Sequence, residues 1–391
     1  MKLIYLTSRF PYPINKGDKL RSYYQIKELS KKNDVHLIAL SENKVSKSSI
    51  IELNKYCKSV HIYRIKLIFR VLNLFKTFIN NRPFQVNYFY NRQIQKKINS
   101  NISSIQPDHI FCQLVRTALY VKEEHSIPKT LDYMDALSKG LQRRIKISKF
   151  WQKPFVKMEY LRMKKFENLA FEFFNNHIII SSSDRSEITH INNQSINIIP
   201  NGIDTNYFQK VNTRKIYDLI FIGNLSYVPN IEAAKFISKE IFPILKEKIP
   251  NIKILISGSQ PSKKVLRLSN KNIKITGWVD DIRETYCSGK IFFAPMLLGS
   301  GLQNKLLEAM SLEIPCIISN LCNESLGGTH MKNIFIGKNT EDYVSQILNI
   351  LRKKELMTEI GKGGRKYVLN KFSWENSNNK LIDILNDKQS N

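Results

Sequence analysis

Short apolar runs rich in Ile, Leu, Val and Phe alternate with helix-sized segments along this chain, in two successive series. A strand without a polar face must be covered on both sides, which is the situation of a parallel sheet between helices. The first series reads as strands over 2–7, 35–39, 59–63, 109–113, 129–133 and 177–181, with helices over 19–31 and 155–175. Ile198–Asp204, IIPNGID, then interrupts the pattern with Pro and Gly. It restarts with strands over 218–223, 252–258, 273–276, 291–295 and 316–319, and with helices over 231–247 and 304–311. The class is α/β, with two Rossmann-like domains whose parallel sheets face a cleft. A chain of 391 residues is long for one core and suits two. The domains are expected over 1–198 and 199–372, followed by a last helix in 373–391. Only Asp387–Asn391 read as disordered, and there is no internal repeat.

With 42% hydrophobic and 10% aromatic residues the chain is a packed globular protein, which excludes wholesale disorder. No apolar run reaches the length of a membrane span, and Met1–Leu6 leads straight into a turn, as a strand does and a signal peptide does not. A cytoplasmic protein is expected. Cys57, Cys112, Cys287, Cys316 and Cys322 are scattered without a CxxC pair, so they read as reduced, buried thiols. His109 and His177 lie in strands and read as core histidines.

The net charge is +28, and residues 1–200 hold 34 basic against 15 acidic residues. Nothing acidic lies between Glu52 and Asp108, and nothing between Asp135 and Glu159. Such surfaces attract phosphates of lipid or nucleic acid. In Tyr63–Asn99, Arg64, Lys66, Arg70 and Lys76 interleave with Leu67, Ile68, Phe69, Leu72 and Phe75, the pattern of a helix lying on anionic lipid. Arg143–Lys157, with Trp151 and Phe155, is a second such segment. A solvated basic face over core residues would read the same way.

The segment Gly299-Ser300-Gly301-Leu302-Gln303-Asn304-Lys305-Leu306-Leu307-Glu308 is a glycine loop between a strand and a helix. Glycines admit a close ligand, and the free amides of a helix N-terminus favour an anion. Lys305, in the first turn, can reach a diphosphate as a point charge. Glu308, on the same face, can accept both hydroxyls of a ribose. Taken alone, the segment is equally a glycine turn before an ordinary amphipathic helix.

It closely resembles the C-terminal signature of glycosyltransferase family four, retaining enzymes of the GT-B fold. Further resemblances follow in the family's order. Ile199-Pro200-Asn201-Gly202-Ile203-Asp204 resembles the linker into the donor domain. Phe221-Ile222-Gly223-Asn224-Leu225 with Pro229-Asn230, then Ile256–Ser259, then Gly277-Trp278-Val279-Asp280-Asp281 resemble its strand–loop segments. Phe372-Ser373-Trp374-Glu375 resembles the start of a last helix that crosses back to the first domain. Arg9-Phe10-Pro11-Tyr12-Pro13 with Lys16-Gly17-Asp18-Lys19-Leu20-Arg21 resembles the N-terminus of sugar transferases encoded with bacterial exopolysaccharide and exosortase systems.

The resemblance implies a retaining transfer of a hexosyl unit from a nucleoside-diphosphate sugar to a glycan or polyprenol-linked acceptor. The setting would be exopolysaccharide, capsule or lipopolysaccharide assembly at the inner face of the cytoplasmic membrane. It places Gly223 and Asn224 against the diphosphate, Gly277 and Val279 against the base, and the Gly17 amide against phosphate or acceptor. One position departs: Ser300 stands where many members carry the first of two glutamates. A hydroxyl replaces the carboxylate, so the usual sugar contact is either lost or made by the amides of Gly301, Leu302, Gln303 and Asn304 and by Gln303. No cofactor or metal is implied, and Asp280-Asp281 reads better as a helix cap than as a metal pair. On the acceptor side, Gln113, Arg116, Tyr120, Asp132, Asp135 and Ser138 follow strands where such sheets bind ligands. Asp132 and Asp135 are the candidate catalytic carboxylates there, with helix capping as the plainer reading. The rival functions are a nucleotide-sugar epimerase of the same fold and a non-catalytic protein binding nucleic acid or phosphate.

Overall fold

The computed structural model describes residues 1–298 and 302–386 and divides into two compact units, Met1–Gly202 with Trp374–Asn391, and Ile203–Ser373. The terminal residues Asp387–Asn391, expected to be disordered, lie outside the described residues.

The first unit is built on β1 (Lys2–Thr7), β2 (Asp34–Ser41), β3 (Ser59–Arg64), β4 (His109–Gln113), β5 (Lys129–Asp132), β6 (Asn176–Ile179) and β7 (Asn197–Ile198). All seven are parallel, in the order β3-β2-β1-β4-β5-β6-β7. Helices α1 (Gly17–Leu29), α2 (Lys47–Asn54) and α3 (Leu67–Asn80) follow the first three strands. Buried side chains cover both faces: Ile4, Leu6 and Ile110 join one cluster, Leu3, Tyr5 and Phe111 the other. The helix Trp374–Asn386 belongs to the second cluster through Trp374, Leu381 and Leu385, and the Trp374 indole stacks on Tyr24 at 5.0 Å.

The second unit has β8 (Tyr217–Ile222), β9 (Ile254–Ser257), β10 (Ile273–Thr276), β11 (Gly289–Ala294), β12 (Cys316–Ser319) and β13 (Phe335–Gly337), all parallel, in the order β10-β9-β8-β11-β12-β13. The helical stretch expected over 231–247 runs from Val228 to Lys248 and contains a wide turn at Ile237–Ile241. Pro243 follows that turn and has no N–H to give the helical ladder.

In each unit the strand order reverses beside the first strand of the series, between β1 and β4 and between β8 and β11. The crevice at the carboxyl ends of such a strand pair is where open α/β sheets hold ligands.

Candidate active site

In the second unit that crevice begins at Gly223, directly after β8. A Cβ there would stand 2.7 Å from Nδ2 of Asn230, so no larger residue fits while Asn230 keeps its place. Asn230 is buried at the start of the helix Val228–Phe236. Its Nδ2 donates to the Asn224 carbonyl at 2.9 Å, and its Oδ1 accepts from Lys305 Nζ at 2.7 Å. Gly258, at φ +151°, closes the floor: a Cβ there would sit 1.7 Å from the Gly223 carbonyl oxygen.

Lys305 lies in the first turn of the helix Asn304–Ser311 with its side chain turned inward, 9% exposed. Its Nζ sits 3.4 Å from Met296 Sδ and 4.6 Å from the Phe221 ring centroid. Among the described residues no carboxylate lies within ion-pair distance of it, and burial pushes the ammonium down to about 8. An ordinary amphipathic helix would instead turn such a lysine to solvent. Glu308, one turn on, is half-buried, and its Oε2 accepts from the Tyr286 hydroxyl at 2.7 Å. Burial raises this carboxyl, against the lowering effects of Tyr286 and Lys305. Asn230 and Tyr286 position the lysine and the glutamate. The motif holds Asn230 without assigning it that task, and no sequence signal marks Tyr286.

Leu302 packs partly buried against the core of this unit, Gln303 is the N-cap residue and Asn304 the exposed first residue of the helix. Gly299, Ser300 and Gly301 lie outside the described residues. Asn224 is exposed, and Gly277 and Val279 are half-buried beside Trp278, which is 80% exposed. A Cβ on Gly277 would meet nothing within 4 Å, so the fold does not itself require glycine there. Asp281 caps the helix Ile282–Cys287 by accepting from Arg283 N at 2.9 Å, and it also pairs with the Arg283 guanidinium at 2.7 Å.

The first unit corrects several expectations. Asp132 is fully buried; it accepts from Arg21 Nε at 2.6 Å, Gln25 Nε2 at 2.9 Å and Met134 N at 2.8 Å. Tyr5 and Asn201 extend this network through Gln25 and Arg21. A carboxylate so enclosed organises the sheet edge and is not placed to take a proton from an acceptor. Gln113, Arg116 and Tyr120 likewise point inward: Gln113 to Thr7 and the Asp18 carbonyl, Arg116 to Gln85, Tyr120 to the Phe89 carbonyl. The Ser138 amide donates to Glu167, a buried carboxyl lifted by burial to about 7 that sequence reading missed.

Asp135 differs from all of these. It caps no helix, since the following helix starts after Ala136 without a side-chain cap. Burial, and next the charge of Asp184, raise its carboxyl to about 6. Gly17 is exposed as the first residue of α1, 3.3 Å from Met134 Cε by its ideal Cβ position. His109 pairs with Thr130 at 2.8 Å, and His177 with the Phe171 carbonyl at 2.9 Å; both are buried, as are all five cysteines. Among the described residues no cluster of three metal-ligating side chains occurs, and no helix is long and apolar enough to cross a membrane.

Residues 217–353, most of the second unit, match the family described as Glycosyl transferases group 1. Over that stretch it is similar to group 1 glycosyltransferases. The chain is a nucleotide-sugar-dependent glycosyltransferase, and its pair of parallel sheets is the GT-B fold. The chain is 25% identical over 379 residues to an "Uncharacterized 44.6 kDa protein in cps region" of Klebsiella pneumoniae, covering 92% of this chain and 93% of that protein. It is 25% identical over 222 residues to the UDP-Gal:alpha-D-GlcNAc-diphosphoundecaprenol alpha-1,3-galactosyltransferase of Escherichia coli, covering 51% of this chain and 56% of that one. Among solved structures, sucrose-phosphate synthase of Thermosynechococcus elongatus superposes with a TM-score of 0.68 at 12% identity over 100% of both chains.

Proposed function

We propose that this glycosyltransferase moves a hexosyl unit, with retention, from a uridine-diphosphate sugar to a lipid-linked acceptor during assembly of a capsule or lipopolysaccharide. The observation that carries the donor half is Lys305. A buried ammonium held by one amide and a thioether is costly unless an anion completes it. It sits beside Gly223 at the helix start, where a departing nucleoside diphosphate needs charge neutralised. There the Lys305 charge and the helix amides would stabilise the leaving group, with the developing phosphate charge as the target. Glu308, held by Tyr286, would take the ribose hydroxyls. The leaving phosphate can itself accept the acceptor proton, so the reaction needs no protein base. The uridine and lipid-linked assignments rest on the E. coli relative, whose donor is UDP-Gal and whose acceptor is a diphosphoundecaprenol glycan.

The membrane half of the proposal rests on α3, whose amphipathicity is inverted. Beside Phe69, which packs on the core, its inner face is polar: Arg70 donates to the Tyr88 hydroxyl at 2.7 Å, Asn73 to the Tyr90 carbonyl at 2.5 Å, and Thr77 accepts from Asn87 at 2.8 Å. Its outer face leaves Leu67, Ile68, Leu72, Phe75 and Ile79 exposed, Ile79 by 86%. Flanked by Lys66, Lys76 and Arg82, that stripe fits the interface of an anionic inner leaflet. Phe150, Trp151 and Phe155 form a second exposed apolar group.

The test is thermal stabilisation across UDP-, GDP-, ADP- and CMP-sugars. Stabilisation by a UDP-sugar that Glu308→Ala and Lys305→Ala abolish is expected. Equal stabilisation in the variants would sink the site.

A further inference from the structure

The loops after β1 and β2 line a cavity of about 360 Å³ in the first unit. Two helix N-termini open on it, because Lys16, the N-cap residue of α1, and Ser46, the N-cap residue of α2, both line it. The α1 terminus has no side-chain cap on its N-cap residue, and in its first turn Lys19 N donates to Asp18 Oδ1 at 3.1 Å, which leaves the Gly17 and Asp18 amides facing outward from the helix start. Four cations line the cavity, Arg9, Lys16, Lys19 and Lys44, against the single carboxylate of Glu42.

The existing contacts remove some of these charges and not others. Arg9 pairs with Asp18 at 2.6 Å and lies 3.9 Å from Glu42. Glu42 accepts from the Tyr88 hydroxyl at 2.9 Å, with Arg70 at 3.8 Å. Among the described residues none of Lys16, Lys19 and Lys44 has a carboxylate within ion-pair distance. Partial burial and then the Lys16 charge push the Lys19 ammonium down, against the raising effects of Asp18 and Glu42. Glu42 and Arg70 link this pocket to α3 through that helix's inner face, and the same helix turns exposed apolar side chains outward.

We propose that this pocket receives the diphosphate of a membrane-embedded polyprenyl carrier, with the carrier's chain running out along α3. The inference rests on the glycosyltransferase reading and adds the place where the acceptor's head is gripped. An ordinary anionic phospholipid or a free diphosphate shares part of that chemistry, so the experiment separates the three.

Co-sedimentation of the full chain is measured with neutral phosphatidylcholine vesicles, with the same vesicles carrying a polyprenyl diphosphate, and with vesicles carrying phosphatidylglycerol at equal charge. The triple variant Lys16→Ala, Lys19→Ala, Lys44→Ala should bind the polyprenyl diphosphate vesicles about tenfold or more weakly, since it loses the charge-assisted contacts to one compact diphosphate. Its arginine counterpart should bind them like the native protein. Phosphatidylglycerol vesicles should hold the triple variant nearly as well as the native chain and lose Phe75→Ser, Ile79→Ser. Undiminished binding of the triple variant to the polyprenyl diphosphate overturns the proposal. So does an equal loss on both anionic vesicles, which would make the pocket a general phospholipid contact. Competition by inorganic diphosphate as strong as that by a polyprenyl diphosphate would overturn it too. Stabilisation by UDP-sugars is read in parallel, so failure of the donor reading shows separately from failure of the pocket.

Discussion

Both parallel sheets end in an acid and a base held below the surface, and the two pairs are built in opposite ways. At the end of β5, Asp132 meets Arg21 at 2.6 Å with both side chains wholly buried, and Gln25, Asn201 and Met134 N occupy further hydrogen-bonding positions. After β11, Lys305 and Glu308 sit one turn apart without pairing; each is held by a neutral group, Asn230 and Tyr286. The first arrangement balances a charge with a charge, and only Arg21 Nη2 is left there without a hydrogen-bond partner among the described residues. The second keeps an ammonium out of water without a counter-ion, which is the condition of a site awaiting an anion. Position at the carboxyl edge of a strand therefore does not decide whether a charge works on a substrate. Whether a counter-charge already meets it does.

The largest effect should come from the open pair. Lys305→Ala should lower kcat/KM roughly a hundred- to a thousandfold, the range for removing one group aimed at developing charge. The melting temperature should change little, because a buried, uncompensated cation adds no stability. A large loss of stability with intact turnover would reverse the assignment. The closed pair should behave the other way. Breaking it by Arg21→Ala leaves Asp132 buried and alone, a change that costs about 3–5 kcal/mol in such pairs. Thermal denaturation should record this, while whatever protein remains folded still binds the UDP-sugar. Normal stability in Arg21→Ala would mean that Asp132 is reached by solvent after all.

The open pair also predicts a pH dependence. Diphosphate binding needs the Lys305 ammonium, and burial has brought that group down to about 8 in the free protein. Above that value the free protein must take up a proton to bind, so donor affinity should fall by about tenfold per pH unit over the next unit or two. Calorimetric titration between pH 7 and 9.5 checks this. Lys305→Arg, which stays charged throughout, should flatten whatever binding it retains.

The alternation of apolar strands and helices made the two parallel sheets legible, because strands buried on both faces carry their signal locally. The glycine loop before a helix likewise placed Lys305, and Asp281 at a helix start announced a cap. What escaped were relations across long separations. Lys305 finds Asn230 75 residues away, and Asp132 finds Arg21 111 residues away. Local pattern cannot tell a carboxylate that faces a substrate from one already met by an arginine on another helix. The orientation of α3 was half legible. Periodicity separates its two faces, but only the Tyr90 carbonyl, Asn87 and Tyr88 decide that the polar face turns inward.

The smallest effect concerns Asp135, an acid at the first sheet's edge that is neither paired like Asp132 nor held like Glu308. Its carboxyl is raised from 3.8 to about 6 by burial and by Asp184, partly offset by Arg21. A raised acid favours the folded state in its protonated form. That stability is fully present below the unfolded value near 4 and is lost as pH rises through about 6. Asp135→Asn, neutral at every pH, should therefore melt higher than the native protein at pH 8, by about 1 kcal/mol after allowance for partial solvent screening. The difference should vanish near pH 4. If the variant instead loses transfer to the acceptor while keeping donor binding, then strain at Asp135 serves acceptor chemistry, and the contrast between a closed first edge and an open second one softens. If it neither stabilises nor slows, Asp135 is a solvated acid, and the first sheet's edge holds no uncompensated carboxylate at all.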